Sequence, residues 1–511
     1  MLAKVLSFGL QGIEGYPVEI EVDVSGGLPA LNLVGLPDSA VKESKERVRS
    51  AIKNSGFYWP PERITVSLAP SGVKKEGACF DLPIALGILA ATEQLNKEGL
   101  KNYFVLGELS LDGSLKSIKG ALPIAMAIAR LNNPSTNNII IPELNAKEAS
   151  IVSRTSVFSL KSLKESVEFL SNPSMLKPFK LDLEDLFKEN NRYNIDFSEV
   201  KGQYLAKRAM EVAVAGGHNI LMIGPPGSGK TMLAKRVPTI MPDLTLEEAL
   251  EISKIHSVMG ILPNKDGIIA TRPFRSLHHS ISSVALIGGG SVPMPGEISL
   301  AHQGVLFLDE LPEFRRDCLE SLRQPLEDGS IRVSRIFKSL TFPATFTLVA
   351  AMNPCPCGYY SDPRKTCHCN PNKIANYMAK ISGPLLDRID IHIELSSIKY
   401  RDLTDTKDAE PSVAIKNRVE KSREVQRERL KTDGIFCNAA MNAKLIRKYC
   451  ILDTPAKELL KQAMHELGLS ARAYDKILKI SRTIADLTGA EAILIEHISE
   501  AIQYRSLDHR I

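Results

Sequence analysis

The chain has 511 residues, which is too long for one hydrophobic core and predicts about three domains. Hydrophobic residues make up 44% and charged residues 24% of the sequence, the proportions of an ordinary soluble globular protein. The net charge of +5 is compatible with a nucleic-acid partner but is too small to indicate one. The longest apolar run, Leu82–Ala91, has about half the length of a membrane span, so it predicts a buried helix.

The first residues lack the long apolar core and the small-residue cleavage site of a signal peptide. We therefore expect a cytoplasmic protein with no membrane partner. Cysteines stay reduced in that compartment, so a tight cysteine cluster suggests a metal before it suggests a disulfide.

Hydrophobic patterns divide the chain. Residues 1–170 alternate strand-like and helical patterns, which predicts an α/β domain. The charged, proline-containing segment 171–194 indicates a linker. Residues 195–396 have the strand, glycine loop, helix and buried strands of a doubly wound nucleotide-binding domain, and 397–511 are mainly helical. The clearest predicted elements of the first domain are the strands Val18–Val24, Ile64–Leu68, Tyr103–Leu106 and Asn138–Ile141 and the helices Ser39–Asn54 and Asp81–Thr92.

A phosphate-binding loop follows the apolar strand 219–223. Residues 224–231 read GPPGSGKT, a complete G-x-x-x-x-G-K-T motif between a strand and a helix. Backbone N–H groups in such a loop surround the phosphates, and the helix N-terminus favours their negative charge. We expect Lys230 to reach the β- and γ-phosphates and Thr231 to bind magnesium. The predicted nucleotide-binding residues are Gly224, Pro225, Pro226, Gly227, Ser228, Gly229, Lys230 and Thr231.

Two later strands end in polar residues with roles in hydrolysis. The strand 304–308 ends in Asp309, which fits a magnesium-holding carboxylate, and in Glu310, which fits the general base for the attacking water. The strand 345–351 leads to Asn353, whose amide can orient that water. The alternative for Asn353 is a residue that starts a turn before Pro354, and its side chain can serve both purposes.

A cysteine cluster follows Asn353 directly, in a segment 355–369 that is too polar to form a core alone. Its two C-x-C pairs can close a tetrahedral zinc site and hold the loop together. We favour a structural zinc site over unligated thiols, and His368 offers an alternative nitrogen ligand. The predicted zinc ligands are Cys355, Cys357, Cys367 and Cys369.

This order of motifs resembles an AAA+ ATPase. The strings GPPGSGKT, PGEISLAHQGVLFLDELPEF, AAMNPCPCGYY and ISGPLLDRIDIHIEL resemble the magnesium-chelatase-like ComM (YifB) family. The resemblance extends to GLPDSAVKESKERVRSAI near the start and LSARAYDKILKISRTIADL near the end. It implies an AAA+ P-loop α/β/α core, an all-α C-terminal lid, and ATP and Mg²⁺ as cofactors.

The resemblance also implies roles for three further residues. Arg388 matches an arginine finger, which would act on ATP held by the neighbouring subunit. Arg472 matches the second sensor arginine of the lid, and Gln203 lies where such proteins place the loop near adenine. An arginine that acts in trans requires a ring-shaped homo-oligomer, and we expect a hexamer. On composition alone, both arginines would be interpreted as surface ion-pair residues.

The first domain resembles the Lon-protease-like α/β fold, through residues 69–81 (APSGVKKEGACFD) and 106–113 (LGELSLDG). Peptidases of that fold use a serine nucleophile and a lysine base. Cys79 stands at the serine position, and the lysine position falls near Leu122. Because the dyad is missing, we expect this domain to guide DNA or stabilise the ring and not to cleave peptides.

A basic hairpin is the predicted DNA contact. Related ring ATPases place a hairpin before the first sensor strand and push its basic side chains into the central channel, where they would contact phosphates without reading sequence. The corresponding cations are Arg332, Arg335 and Lys338, although a solvated hairpin face explains their spacing equally well. Residues 271–279 (TRPFRSLHH) are a second candidate pore insertion, in which the histidines can equally be structural. Met294 replaces an arginine of the family pattern.

Three functions compete. The resemblance favours an ATP-driven DNA motor, a helicase that promotes branch migration in homologous recombination and natural transformation, with recombination proteins as possible partners. A protein-remodelling or metal-chelatase motor is the alternative, and an ATP-dependent protease is disfavoured by the missing dyad. The Lon-like domain and the Cys segment favour the DNA motor, because neither is expected in chelatase subunits.

Overall fold

In a computed structural model, the chain divides into two structural units. One unit contains residues 1–191 and 245–270, and the other contains 192–244 and 271–511. Among the described residues, no helix is both long enough and apolar enough to cross a bilayer. The structure describes residues 1–131, 137–181, 186–187, 193–263, 267–290, 293–335, 338–360, 362, 365–397 and 409–507.

A mixed seven-stranded sheet forms the centre of the first unit, in the order β3-β4-β2-β1-β5-β8-β9. Its pairs β1–β2 and β2–β4 are antiparallel and the others are parallel. The strands of this unit are β1 (Leu2–Gln11), β2 (Glu14–Ser25), β3 (Ala30–Val34), β4 (Arg63–Ala69), β5 (Tyr103–Val105), β6 (Glu108–Leu109), β7 (Leu115–Lys116), β8 (Asn138–Pro142) and β9 (Ser156–Leu160). Its helices are Ser39–Asn54, Asp81–Ala91, Lys97–Leu100, Ala121–Arg130, Ala146–Ser150, Leu163–Ser171 and Leu246–Met259.

Buried apolar and charged residues alternate along β2, so one face of the sheet packs in the core and the other carries charged side chains. Val18, Ile20 and Val22 are buried, whereas Glu19 and Glu21 lie on the other face, where both pair with Lys4 of β1. The helix Asp81–Ala91 is buried along its whole length, as its apolar sequence predicts. The predicted mixture of strands and helices in this domain is confirmed. Its Lon-like identity stays a prediction.

The segment Thr245–Ala270, which contains the helix Leu246–Met259, belongs to the first unit, although the chain before and after that segment belongs to the second. Lys254 forms an ion pair with Glu14, and the Ser257 hydroxyl donates a hydrogen bond to the buried Glu148 carboxylate. The backbone N–H of Gly120 donates to the carbonyl of Ser257 over 3.1 Å. The sequence predicts this segment within the ATPase core, residues 195–396, and the predicted domain boundaries stay a prediction.

A five-stranded parallel sheet forms the centre of the second unit, in the order β11-β14-β17-β10-β18. Every residue of β10, β14 and β17 is buried, which is typical of a parallel sheet covered on both faces. The strands of this unit are β10 (Ile220–Ile223), β11 (Phe274–Leu277), β12 (Gly288–Gly289), β13 (Met294–Pro295), β14 (Val305–Leu308), β15 (Ser330–Arg335), β16 (Lys338–Pro343), β17 (Thr347–Met352) and β18 (Ile391–Glu394).

Helices surround this sheet and make up the end of the chain, which confirms the predicted α/β core and helical C-terminal region. The helices before residue 400 are Tyr204–Gly216, Lys230–Ile240, Ser283–Ile287, Glu297–Leu300, Arg316–Ser321, Arg323–Asp328, Pro371–Met378 and Gly383–Leu386. The C-terminal helices are Ser412–Leu430, Ala443–Tyr449, Thr454–Glu466, Ala471–Thr488 and Ile495–Gln503.

One buried carboxylate joins three elements of the helical region. Asp486 has no exposed side-chain surface, and its carboxylate accepts hydrogen bonds from Arg429 at 2.6 Å and from Arg482 at 3.0 Å. The Asn438 amide donates to the same carboxylate at 2.8 Å. A buried charge is tolerated when it is paired and hydrogen-bonded, so this network fixes how the helices pack.

Removal of this carboxylate should destabilise the helical region strongly. We expect Asp486→Ala to lower the free energy of unfolding by about 3–5 kcal/mol, because two largely buried guanidinium groups lose their partner. Chemical denaturation followed by circular dichroism measures the change. The exposed Glu458→Ala is the control and should change stability by less than about 0.5 kcal/mol. Equal denaturation midpoints for the two variants would contradict this account.

Candidate nucleotide site

The phosphate-binding loop leaves β10 at the carboxyl edge of the parallel sheet, between β17 and β18. Gly227 and Gly229 have φ angles of +77° and +91°, which side chains rarely adopt, so these glycines allow the loop to curl. The helix Lys230–Ile240 begins immediately afterwards. Its first backbone N–H groups are therefore directed towards the loop, as the motif predicts.

Lys230 closes the loop on itself. Its ammonium group donates hydrogen bonds to the carbonyls of Gly224 at 2.6 Å and Pro225 at 3.0 Å, and to the Asn353 side-chain oxygen at 3.2 Å. Burial lowers the pKa of Lys230 to about 8, against the opposing attraction of Asp309 and Glu310. The loop therefore has an ordered cation at its centre.

Asp309 and Glu310 lie at the end of β14, on the same edge of the sheet. The Thr231 hydroxyl donates a hydrogen bond to the Asp309 carboxylate at 2.7 Å. The other Asp309 oxygen accepts from the Glu310 backbone N–H at 3.0 Å. Glu310 has a φ of +54°, in the left-handed region, so the backbone turns directly after the strand. The structure thus brings together the four side chains of Lys230, Thr231, Asp309 and Asn353.

His279, which lies in the candidate pore insertion 271–279 and can equally be structural, is a neighbour of Glu310. Its Nδ1 atom lies 3.3 Å from the Glu310 carboxylate, and its ring centroid lies 4.1 Å from that of His278. The contact arises because β11, which ends at Leu277, pairs in parallel with β14. Strand order is not visible in the spacing of the sequence, so only the fold places this histidine beside the carboxylate.

Gln203 contacts the phosphate loop, while the two predicted arginines have carboxylate partners. The Gln203 amide donates to the carbonyls of Ser228 at 3.0 Å and Ser396 at 2.8 Å. Arg388 forms an ion pair with Glu327, and Arg472 forms one with Asp387 at 2.9 Å. The Arg472 side chain is 66% exposed. The Arg388 side chain is only 14% exposed, so the Arg388–Glu327 pair is largely buried on the arginine side, whereas the Arg472–Asp387 pair lies at the surface.

The four cysteines form one cluster. Their sulfur atoms lie within 4.8 Å of one another, and Cys355 is buried. The Cys355 sulfur lies 3.3 Å from that of Cys357 and 3.7 Å from that of Cys367. A tetrahedral zinc–thiolate site places its sulfurs about 3.8 Å apart, so this geometry fits zinc.

The cysteine segment packs directly on the phosphate loop. Gly358 has a φ of +85°, and a Cβ atom there would lie 2.7 Å from the Cδ atom of Pro226. The same segment begins directly after Asn353, which contacts Lys230. The position of the cysteine cluster is thus tied to the loop on one side and to the end of β17 on the other.

The basic hairpin forms as the sequence predicts. Strands β15 and β16 pair antiparallel, with Arg335 opposite Lys338. The Arg332 guanidinium donates to the Ser339 hydroxyl at 2.8 Å. The side chains of Arg335 and Lys338 lie outside the described residues.

The peptidase positions of the first unit hold no described nucleophile–base pair. Burial raises the pKa of the Cys79 thiol to about 12, so the thiol stays protonated at neutral pH. Leu122 is buried, and its backbone N–H donates to the Glu148 carboxylate at 2.9 Å.

Comparison with known proteins identifies the family. The family model for magnesium chelatase, subunit ChlI, matches residues 196–403, the model for subunit ChlI of Mg-chelatase matches 20–145, and the ChlI C-terminal model matches 409–505. The competence protein ComM of Haemophilus influenzae is 44% identical over 99% of this chain and 98% of its own length. The YifB protein of Salmonella typhimurium is 42% identical over 99% of this chain and 97% of its own.

A more distant relative is the magnesium-chelatase 38 kDa subunit of Rhodobacter capsulatus, 21% identical over 62% of this chain and 87% of that subunit. Fold and site together define a magnesium-chelatase-like AAA+ ATPase. Within that class, the chain belongs to the ComM/YifB family. Membership implies ATPase activity with ATP and Mg²⁺, and the AAA+ class suggests oligomeric assembly.

The contact between Gly358 and Pro226 predicts that the cysteine segment supports nucleotide binding. We expect Gly358→Ala to raise the Kd for ATP about three- to tenfold, because the added Cβ atom strains the loop by about 1 kcal/mol. Gly434→Ala is the matched control, since Gly434 also has a positive φ (+70°) but its Cβ atom would meet nothing within 4 Å. Titration with a fluorescent ATP analogue measures both. Equal affinities would rule out support of the loop by this segment.

Proposed function

We propose that this protein is an ATP-hydrolysing ring motor that acts on DNA, a helicase that promotes branch migration in homologous recombination and natural transformation. The observation that supports the motor chemistry is the convergence of Lys230, Thr231, Asp309 and Asn353 on one edge of a parallel sheet. The proposal for DNA is supported by similarity to the competence protein ComM over nearly the whole chain. We place the protein in the cytoplasm, with recombination proteins as possible partners.

The chain's own groups have separable tasks in hydrolysis. Lys230 exchanges its carbonyl partners for the β- and γ-phosphates of ATP, since charged oxygens are the stronger acceptors. Glu310 accepts a proton from the attacking water, and Asn353 orients that water beside the γ-phosphate. Gln203 holds the loop near the adenine through its bond to the Ser228 carbonyl.

The hydroxyl of Thr231 and the carboxylate of Asp309 would hold Mg²⁺. Mg²⁺ prefers such oxygen ligands, and the two oxygen atoms lie 2.7 Å apart, close enough to bind the same ion. Neutralisation of charge on the β- and γ-phosphates is what Mg²⁺ supplies when bound.

Arg388 and Arg472 complete the site in the assembled ring, which we propose is a hexamer. Arg388 stabilises charge on ATP held by the neighbouring subunit, and Arg472 acts as the lid sensor. The Arg472–Asp387 pair is exposed on the arginine side, so its exchange for a phosphate costs little, whereas Arg388 is 14% exposed and must leave Glu327 to reach a phosphate.

The hairpin β15–β16 is the proposed DNA-contacting element. Arg332, Arg335 and Lys338 would bind the phosphate backbone, so affinity should fall as salt rises. Residues 271–279 stay the second candidate pore insertion, and the contact of His279 with Glu310 links this segment to the Glu310 carboxylate.

The cysteine cluster is a proposed structural zinc site formed by Cys355, Cys357, Cys367 and Cys369. Four thiols within 4.8 Å fill all four positions of a tetrahedral ion, which leaves none open for catalysis. Zinc would hold the segment that begins at Asn353 and packs on Pro226.

A protein-remodelling or metal-chelatase motor is the second candidate. It is supported by the family models and by the 21% identity to the Rhodobacter capsulatus subunit. An ATP-dependent protease is less favoured, since the Cys79 thiol stays protonated.

Steady-state ATPase with and without single-stranded and forked DNA, at two salt concentrations, separates these candidates. We expect DNA to stimulate hydrolysis in a salt-sensitive way, and Glu310→Gln to lower kcat by about 10²- to 10⁴-fold through loss of the general base. Arg332→Ala should reduce the DNA stimulation and leave the basal rate unchanged. If DNA has no effect while Glu310→Gln abolishes hydrolysis, the ATPase assignment stands and the DNA assignment fails.

Metal analysis of the purified protein tests the zinc site. We expect about one zinc per chain, and loss of that zinc with lowered stability in Cys357→Ser, because three thiolates leave the site open. Cys437→Ser is the control, since Cys437 lies outside the cluster, and its zinc content should be unchanged. Metal-free protein with full ATPase activity would contradict the proposal.

A further inference from the structure

Asn219 lies immediately before β10, at the edge of the sheet opposite the phosphate loop. Its side-chain nitrogen donates a hydrogen bond to the carbonyl of Arg388 at 3.1 Å. Its side-chain oxygen accepts from the backbone N–H of Leu348 in β17 at 2.8 Å. One amide therefore joins three parts of the chain: the strand that leads to the phosphate loop, the strand that leads to Asn353, and the residues 388–391, which we call the arginine segment.

The backbone of Asn219 adds further bonds to the same segment. Its carbonyl accepts from the N–H groups of Asp390 and Ile391, each at 3.0 Å. Its own N–H donates to the Asp390 carboxylate at 3.2 Å. The turn that follows Arg388 is thus held against a single residue by both backbone and side-chain contacts.

The Asp390 carboxylate extends the network to the lid helix Ala471–Thr488. Lys476 of that helix lies 3.1 Å from the carboxylate, and the Nδ1 atom of the fully buried His218 lies 3.4 Å from it. Lys476 also donates to the carbonyl of Ile389 at 3.0 Å. Burial alone raises the pKa of Asp390, but the positive charge of Lys476 and the contact with the His218 imidazole outweigh it and hold that pKa well below its usual range.

Charges with this little exposure are costly unless their geometry is fixed, so the cluster has few alternative arrangements. The Asp390 and Lys476 side chains are 14% and 13% exposed. The lid helix that contains Lys476 begins at Ala471, next to Arg472. The backbone of the arginine segment is therefore tied to the lid and to the sheet. The Arg388 side chain, which is 14% exposed, contacts the exposed Glu327 carboxylate and the Pro384 carbonyl.

We infer that Asn219 and Asp390 are positioning residues for Arg388, which fix the backbone of the arginine segment to the start of the phosphate-loop strand and to the lid helix. Through them, each subunit presents Arg388 to its neighbour in a geometry set by its own nucleotide-binding strand and lid. This inference rests on the proposed action of Arg388 on ATP of the neighbouring subunit.

Mixing of subunits tests the inference. Asn219→Ala alone should lower kcat about 10- to 100-fold, because a misplaced charge-stabilising group costs that much. Glu310→Gln has a dead site but an intact Arg388. In mixed rings, about half of the Asn219→Ala sites face a Glu310→Gln neighbour that presents Arg388 correctly, so ATPase should rise well above that of either variant. Damage to the variant's own site would not be rescued in this way.

Arg388→Ala mixed with Glu310→Gln is the reference for action in trans. If this pair recovers activity and the Asn219→Ala pair does not, the positioning role is wrong while the proposed function stands. If the reference pair fails to recover, action of Arg388 in trans is wrong, and the inference falls with it.

Two further variants guard against trivial loss of folding. Asp390→Asn keeps an oxygen for the Asn219 N–H but removes the charge, and it should behave as Asn219→Ala in the mixing assay. It carries the test if Asn219→Ala lacks a cooperative thermal transition. Asn442→Ala removes a helix-capping asparagine that accepts a hydrogen bond from the Leu445 N–H, so it should lower the midpoint of thermal unfolding with unchanged ATPase.

Discussion

Parallel pairing of β10 with β17 on one side and with β18 on the other is the constraint on which the second unit depends. Carboxyl ends of parallel strands meet at one edge, so residues far apart in sequence converge there without any local signal. Lys230 reaches Asn353, and Thr231 reaches Asp309, only because these strands lie in this order. The amino ends of the strands meet at the opposite edge, where the Asn219 amide donates a hydrogen bond to the carbonyl of Arg388.

Local sequence was sufficient for elements whose chemistry is local. The G-x-x-x-x-G-K-T loop, the apolar strand before Asp309 and the wholly apolar helix Asp81–Ala91 each contain the pattern that determines them. The C-x-C pairs likewise predicted one cluster, which the structure forms. Contacts that depend on the order of strands in the sheet could not be predicted from local sequence. The contact of His279 with Glu310 was not predicted, because nothing in its sequence neighbourhood shows that β11 lies beside β14.

Both edges of the sheet use polar side chains to hold backbone, but with different consequences. At the carboxyl edge, Lys230 donates hydrogen bonds to the carbonyls of Gly224 and Pro225. In the proposed function, phosphate oxygens would take the place of these carbonyls, so the bonds at this edge can be exchanged. At the amino edge, the Asn219 amide bonds to backbone groups of Arg388 and Leu348, at the end of the sheet away from the phosphate loop. A site that binds and releases a ligand repeatedly requires such a difference between an exchangeable face and a rigid one.

The helix Leu246–Met259 has a consequence for any attempt to dissect the protein. It packs with the first unit through Lys254 and Ser257, although the chain enters and leaves it from the second. Deletion of residues 1–191 would remove the partners of its buried face and leave an unpacked helix within the ATPase. Each unit is therefore built from two separate stretches of the chain. A gene fragment that encodes the second unit alone must also replace this insertion with a linker.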